Sequence, residues 1–178
     1  MVNSEAFPRQ SSKARMRVVT PEPLTPAAFA PFGEVIAMEG NAAISINQGF
    51  AQRYNDLAGV DVSQQDGSTN VSLFLGNPRP VPIAIKLMER HPLGSQAFIP
   101  LQDRPWLIVV CGDVRDFASY RAFTATGGQG INYARNAWHH PLLVHDADSR
   151  FLIIDRKGPG NNLEEVWLAD DFVFNLAR

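Results

Sequence analysis

A single cysteine stands in 178 residues, so no intrachain disulfide can form. Cys111 closes the apolar run WLIVVC, where a small buried hydrophobe is expected rather than a reactive thiol. No apolar stretch approaches the ~20 residues that cross a bilayer. Residues 1–15 also lack the apolar centre of a secretory signal. The expectation is a reduced, cytoplasmic protein with no membrane partner. Charge is ordinary in amount and nearly balanced: charged residues make up 19 %, and the formal net charge is −2. Arg9, Lys13 and Arg15 face only Glu5 in the first fifteen residues, which leaves 13 basic and 17 acidic residues in the remainder. Such a body offers no electrostatic footprint for nucleic acid. TGGQG, beginning at Thr126, is no phosphate loop, because it lacks the Lys-Ser/Thr ending and no helical pattern follows it.

Helical periodicity is equally scarce. Thr25 before Pro26 is an N-cap followed by proline at the first helical position, so 25–32 reads as a short helix. A turn near 163–168 is the only other helical reading. What fills the chain is short strands separated by glycine and proline, 13 of each. Strands are expected at Arg17–Thr20, in GEVIAM, at Ile44–Asn47 and Arg53–Leu57, and in VSLFLG. WLIVVCGD, RAFT, INYARN, LLVHDA and FLIIDR continue the series. Roughly ten strands with tight turns mean an all-β barrel or sandwich. Residues 16–178 read as one domain, and the aperiodic, polar residues 1–15 as a disordered leader.

The chemistry gathers around Ile83–Leu101, IAIKLMERHPLGSQAFIPL. At a period of two, Ile83, Ile85, Leu87, Glu89 and His91 share one face, with Lys86 and Arg90 on the other. An apolar face that ends in a carboxylate and an imidazole marks the mouth of a pocket, since such groups are costly to bury without partners. A second cluster follows some fifty residues later, where Trp138, His139 and His140 precede Pro141. Two strand-end histidine clusters suggest one site built from two hairpins. A single histidine is more often a local cap or filler, and His145, beside Asp146, reads that way.

Three segments, Glu89–Leu101 (ERHPLGSQAFIPL), Gly128–Leu142 (GQGINYARNAWHHPL) and Ile154–Asn162 (IDRKGPGNN), resemble the ureidoglycolate lyase family of allantoin catabolism. PLTPAAFAPFGEVI and INQGFAQRYNDLA fit it too. The resemblance implies a cupin-like β-barrel or sandwich, a homodimer, and cleavage of (S)-ureidoglycolate to glyoxylate and urea. It also brings in a divalent metal, nickel or manganese, with His91, Gln96 and His139 as ligands, or none at all. The first hairpin departs from the usual cupin H-x-H pattern, offering His91 and the weak neutral ligand Gln96, preceded by Glu89.

For that reaction a base must take the hydroxyl proton while an acid protonates the departing urea nitrogen. His91 and His139 suit both roles, and Glu89 could orient an imidazole. The small anionic substrate calls for a guanidinium. Arg53, Arg90, Arg135 and Arg156 are candidates, with Arg90 disfavoured by its parity. Gln96, Tyr133, Arg135 and Asn136 are expected to line the pocket with Arg53. The alternatives are a ureidoglycolate hydrolase releasing ammonia and a non-catalytic small-ligand cupin.

Overall fold

The computed structural model describes residues 17–170 and 173–177. The expected leader lies outside them. Among the described residues, seventeen strands and one short α-helix follow one another. The first are β1 (Arg17–Val19), β2 (Glu22–Pro23), α1 (Pro26–Phe29) and β3 (Gly33–Ile36), then a hairpin of β4 (Ala43–Ile46) and β5 (Ala51–Tyr54). β6 (Ser68–Gly76), β7 (Ala84–Ile85), β8 (Leu87–Arg90), β9 (Gln96–Pro100) and β10 (Trp106–Cys111) form the middle. β11 (Tyr120–Ala125), β12 (Gly130–Tyr133), β13 (Trp138–His139) and β14 (Leu143–Val144) come next. β15 (Ser149–Lys157), β16 (Glu164–Trp167) and β17 (Phe174–Leu176) close the fold.

The helix forms where the cap predicts it. Thr25 Oγ1 accepts from Ala28 N at 3.2 Å, and the helix buries Phe29.

Three sheets stack in layers. One runs β3-β12-β9-β15-β6, and a second runs β16-β8-β13-β10-β11-β2 with β14 also on β10. The third, β1-β17-β7, is small. β10 lies at the centre because all six of its residues are buried. Its alternate side chains enter different cores, as strand geometry requires. Trp106, Ile108 and Val110 pack with Phe98, Ile131, Phe151 and Ile153 between the two large sheets. Leu107, Val109 and Cys111 pack with Ile85, Phe174 and Leu176 beneath the small sheet. Burial pushes the Cys111 thiol up to about 12, so it stays protonated and inert. The architecture is the all-β sandwich expected from the strand pattern. No helix among the described residues is long and apolar enough to cross a membrane.

Two local expectations need correction. The segment near 163–168 is not helical: it holds β16, whose alternating burial suits an edge strand paired with β8. The alternation from Ile83 to His91 is also broken. β7 pairs with β17, β8 pairs with β16 and β13, and the phase slips at Lys86 between them. Ile85 and Met88 therefore share the second core, and only the Leu87, Glu89, His91 part of the expected face survives.

Candidate functional site

Glu89 sits directly opposite His139 across the β8–β13 ladder, and opposite residues share a sheet face. His139 also opposes Val110, whose side chain lies in the core between the large sheets. Both groups therefore point between those sheets. His91, two residues beyond Glu89, joins them: its ring centroid lies 5.3 Å from that of His139. One donor atom each from Glu89, His91 and His139 falls within 4.8 Å of the others.

Backbone carbonyls set the histidine tautomers. His91 Nδ1–H donates to Asn162 O at 2.7 Å, and His139 Nδ1–H donates to Ala137 O at 2.9 Å. A carbonyl only accepts, so each proton belongs on Nδ1 and each Nε2 keeps a free lone pair. Both Nε2 atoms are buried without a hydrogen-bond partner, and His139 Nε2 lies 3.4 Å from Glu89 Oε1. Burial and the neighbouring His139 charge pull the His91 pKa down. Burial resists ionisation of Glu89, but the surrounding histidines, His139 foremost, outweigh it and hold the carboxyl below its usual range. At neutral pH the cluster is thus an ionised carboxylate beside a neutral His91.

The opposite sheet supplies the other wall. The Tyr133 ring stacks on His139 with centroids 4.0 Å apart and planes at 14°. Burial raises its phenol pKa, so the hydroxyl keeps its proton. Gln96 lies opposite Tyr133 in the β9–β12 ladder, and its buried Oε1 is unpartnered. Gln96 Nε2 reaches Asp155 Oδ2 at 3.5 Å, and Asn70 Nδ2 donates to Asp155 Oδ1 at 2.9 Å.

Asp155, Asn70 and Asn162 were not legible as site residues one at a time. A signal for Asp155 was present: Phe151 and Ile153 are core, so a carboxylate at 155 continues an apolar face, as Glu89 does.

The remaining candidates lie elsewhere. Arg90 ion-pairs with Glu164 at 2.6 Å and stacks on Trp138 at 4.5 Å, on the face away from His91. Arg156 is buried and donates to the carbonyls of Gln64, Gln65 and Pro159. Arg135 lies 3.6 Å from Asp61, and with Asn136 and Trp138 it lines a separate cleft of about 400 Å³. The Asn136 backbone N–H donates to His91 O, bracing the turn that carries the imidazole. Arg53 is exposed on the β4–β5 hairpin. His140, Nδ1 on Pro141 O, is pushed down to about 4 by burial. His145 is exposed beyond β14.

Residues 16–175 match the profile of the ureidoglycolate lyase family. The chain belongs to that family. A ureidoglycolate lyase of Burkholderia mallei is 49 % identical over 164 residues, covering 88 % of this chain and 96 % of its own length. Ureidoglycolate lyase 1 of Rhizobium meliloti is 50 % identical over 153 residues, covering 85 % and 90 %. The Azotobacter vinelandii relative is 48 % identical over 165 residues, covering 92 % and 99 %. Among solved structures, Bacillus subtilis oxalate decarboxylase aligns over 56 % of this chain and 24 % of its own. Its identity of 13 % and TM-score of 0.37 are too low to bear on this site.

Proposed function

We propose that the chain eliminates urea from (S)-ureidoglycolate, giving glyoxylate, as a cytoplasmic step in allantoin breakdown that involves no nucleic acid. Membership of the lyase family supports the reaction class, and the paired unpartnered Nε2 atoms of His91 and His139 beside Glu89 carry the site assignment. The substrate bears a hydroxyl, a carboxylate and a ureido nitrogen on one carbon. One Nε2 lone pair takes the hydroxyl proton as the C=O bond forms. The C–N bond breaks, and the released nitrogen takes a proton back from the pair, so no net proton is consumed. Glu89 stabilises the imidazolium formed in between. Tyr133 and Gln96 form the wall opposite the histidines and fix the orientation of the substrate. In this reading the protein works as a homodimer.

The same three donors suit a divalent metal. Two imidazole nitrogens and one carboxylate oxygen, unpartnered or loosely paired and within 4.8 Å, can close on one ion with small side-chain rotations. His91, His139 and Glu89 would hold it, with Gln96 beside them. Nickel or manganese bound there would lower the hydroxyl pKa and hold substrate oxygens.

The test is incubation with fresh (S)-ureidoglycolate, assaying glyoxylate, urea and ammonia separately. Equal glyoxylate and urea without ammonia is the expected result. Ammonia in place of urea identifies a hydrolase, and saturable binding without turnover identifies a binding protein. Prolonged chelation with elemental analysis sorts the two forms of the chemistry. Activity that survives in metal-free protein makes the histidines acid and base, whereas activity restored only by nickel or manganese makes them ligands.

A further inference from the structure

A single cross-strand row forms the wall that faces the histidine pair. Asn70 lies opposite Asp155 across β6–β15, and Gln96 lies opposite Tyr133 across β9–β12. Between them, Asp155 and Gln96 each stand one residue beyond the Ile154–Ala97 pair of β15 and β9. Residues in one row share a face. Here it is the face of Ile153, Phe98 and Tyr133, which lie in the core between the two large sheets. At the Tyr133 end the row stacks on His139, and the Asp155 charge reaches His91.

Hydrogen bonding gives this row a direction. A carboxylate accepts and does not donate. Asn70 and Gln96 must therefore turn their NH2 groups to Asp155, and they do so from opposite sides. Asn70 Nδ2 donates to Oδ1 at 2.9 Å, and Gln96 Nε2 donates to Oδ2 at 3.5 Å. The carbonyl end of the Gln96 amide is then turned away from Asp155. It is buried and has no hydrogen-bond partner among the described residues. A buried acceptor without a donor is costly, so its persistence points to a ligand that supplies one.

The groups across the pocket are acceptors too. His91 and His139 each present an Nε2 lone pair, and Glu89 presents a carboxylate. Such a pocket suits a ligand rich in N–H and O–H donors. In the proposed substrate the carboxylate only accepts and the hydroxyl donates once, whereas the ureido group carries several N–H donors.

We propose that Asp155 is a positioning residue that holds the Gln96 amide with its carbonyl towards the histidine pair. There the carbonyl takes a terminal N–H of the ureido group and so selects the leaving group. The hydroxyl is left to a histidine Nε2. Asn70 fixes Asp155 from behind. The inference rests on the substrate proposed above.

Two inert probes separate the ends of the substrate. Ureidoacetate keeps the ureido group and the carboxylate but has no hydroxyl to deprotonate. Glycolate keeps the carboxylate and the hydroxyl but has no ureido group. Both are titrated calorimetrically into the full chain at pH 8, where His91 is neutral and the Asp155 charge does not act through its titration. Gln96→Ala and Asp155→Ala should each raise the Kd of ureidoacetate about five- to fiftyfold, the usual effect of losing a buried hydrogen bond. The Kd of glycolate should change less than threefold. Because Asp155 acts through Gln96, the double variant should bind ureidoacetate within twofold of Gln96→Ala alone. Melting verifies folding. Asp155→Asn, of the same size, leaves one acceptor for two amide donors and should show the same split if Asp155→Ala does not fold. Equal losses for both probes overturn the proposal, since they mean a general disruption or a Gln96 carbonyl committed to another ligand. Additive losses in the double variant, or wild-type protein that does not bind ureidoacetate, also overturn it. Normal probe binding without turnover of ureidoglycolate would sink the reaction proposed above and leave the positioning role standing.

Discussion

At the scale of single residues, the site depends on where protons sit. His91 and His139 give their Nδ1 protons to backbone carbonyls, which leaves both Nε2 atoms as bases. This detail is invisible in the sequence, because the acceptors Asn162 and Ala137 act through their backbones. The same burial has a cost in acid. The pKa values of His91 and His140 are lowered in the folded chain, His140 to about 4 from an ordinary 6.5. Between those limits the unfolded chain binds protons that the folded chain does not, so stability falls as pH drops from about 6.5 towards about 4. Glu89, whose folded pKa is also depressed, adds a further loss below its ordinary 4.5. Urea midpoints measured from pH 7.5 to 4.5 should decline for the wild type and decline less for His140→Gln. A wild-type midpoint independent of pH would contradict this assignment. The acid limb of kcat/KM should likewise fall below pH 6.5 if His91 acts as the base.

At the scale of elements, the turn that carries His91 is fixed from behind. Gly94 is buried, and a Cβ there would lie 2.7 Å from the Cβ of Arg156 and 3.2 Å from Asp61 O. Asp61 and Ser95 close the contact from the other side, through Ser95 N to Asp61 O and Asp61 N to Ser95 Oγ. Arg156 cannot give way easily, since its guanidinium spans three carbonyls of two loops. Gly94→Ala should therefore destabilise the fold by about 1–3 kcal/mol, as overpacking does. Arg156→Lys should cost a similar ~1–3 kcal/mol, because an ammonium cannot span the same acceptors. Chemical denaturation checks both, and a loss below 0.5 kcal/mol (about the effect of a surface change) would show that the turn is not braced in this way. Turn residues and strand parity made this region legible in outline: HPLG ends one strand, and the face bearing Glu89 and His91 turns inward. The slip at Lys86 was not legible, because β7 and β8 differ in which sheet they join rather than in their residue types.

At the scale of the whole molecule, sequence pattern carried the fold class further than it carried the site. Short apolar strands punctuated by glycine and proline have few folded solutions, and an all-β sandwich is what formed. The site needs pairings between distant strands. β8 and β13 meet only because β13 slots between β8 and β10, and β9, β12 and β15 close the opposite wall. Arginines were the least legible group: the sequence places Arg53, Arg90, Arg135 and Arg156 beside motifs, but only the fold separates the brace of Arg156 and the ion pairs of Arg90 and Arg135 from the exposed Arg53. The most direct measurement of the central claim is the turnover of His91→Ala, His139→Ala and the double variant, with folding verified by melting. Each single change should lower kcat by about two to four orders of magnitude, the usual worth of a positioned acid or base. The double variant should be little worse than the slower single, because groups that act as a unit are not additive. His145→Ala, exposed and outside the cluster, should keep most activity. Near-wild-type turnover in both single variants, with stability intact, would remove the histidine pair from the reaction.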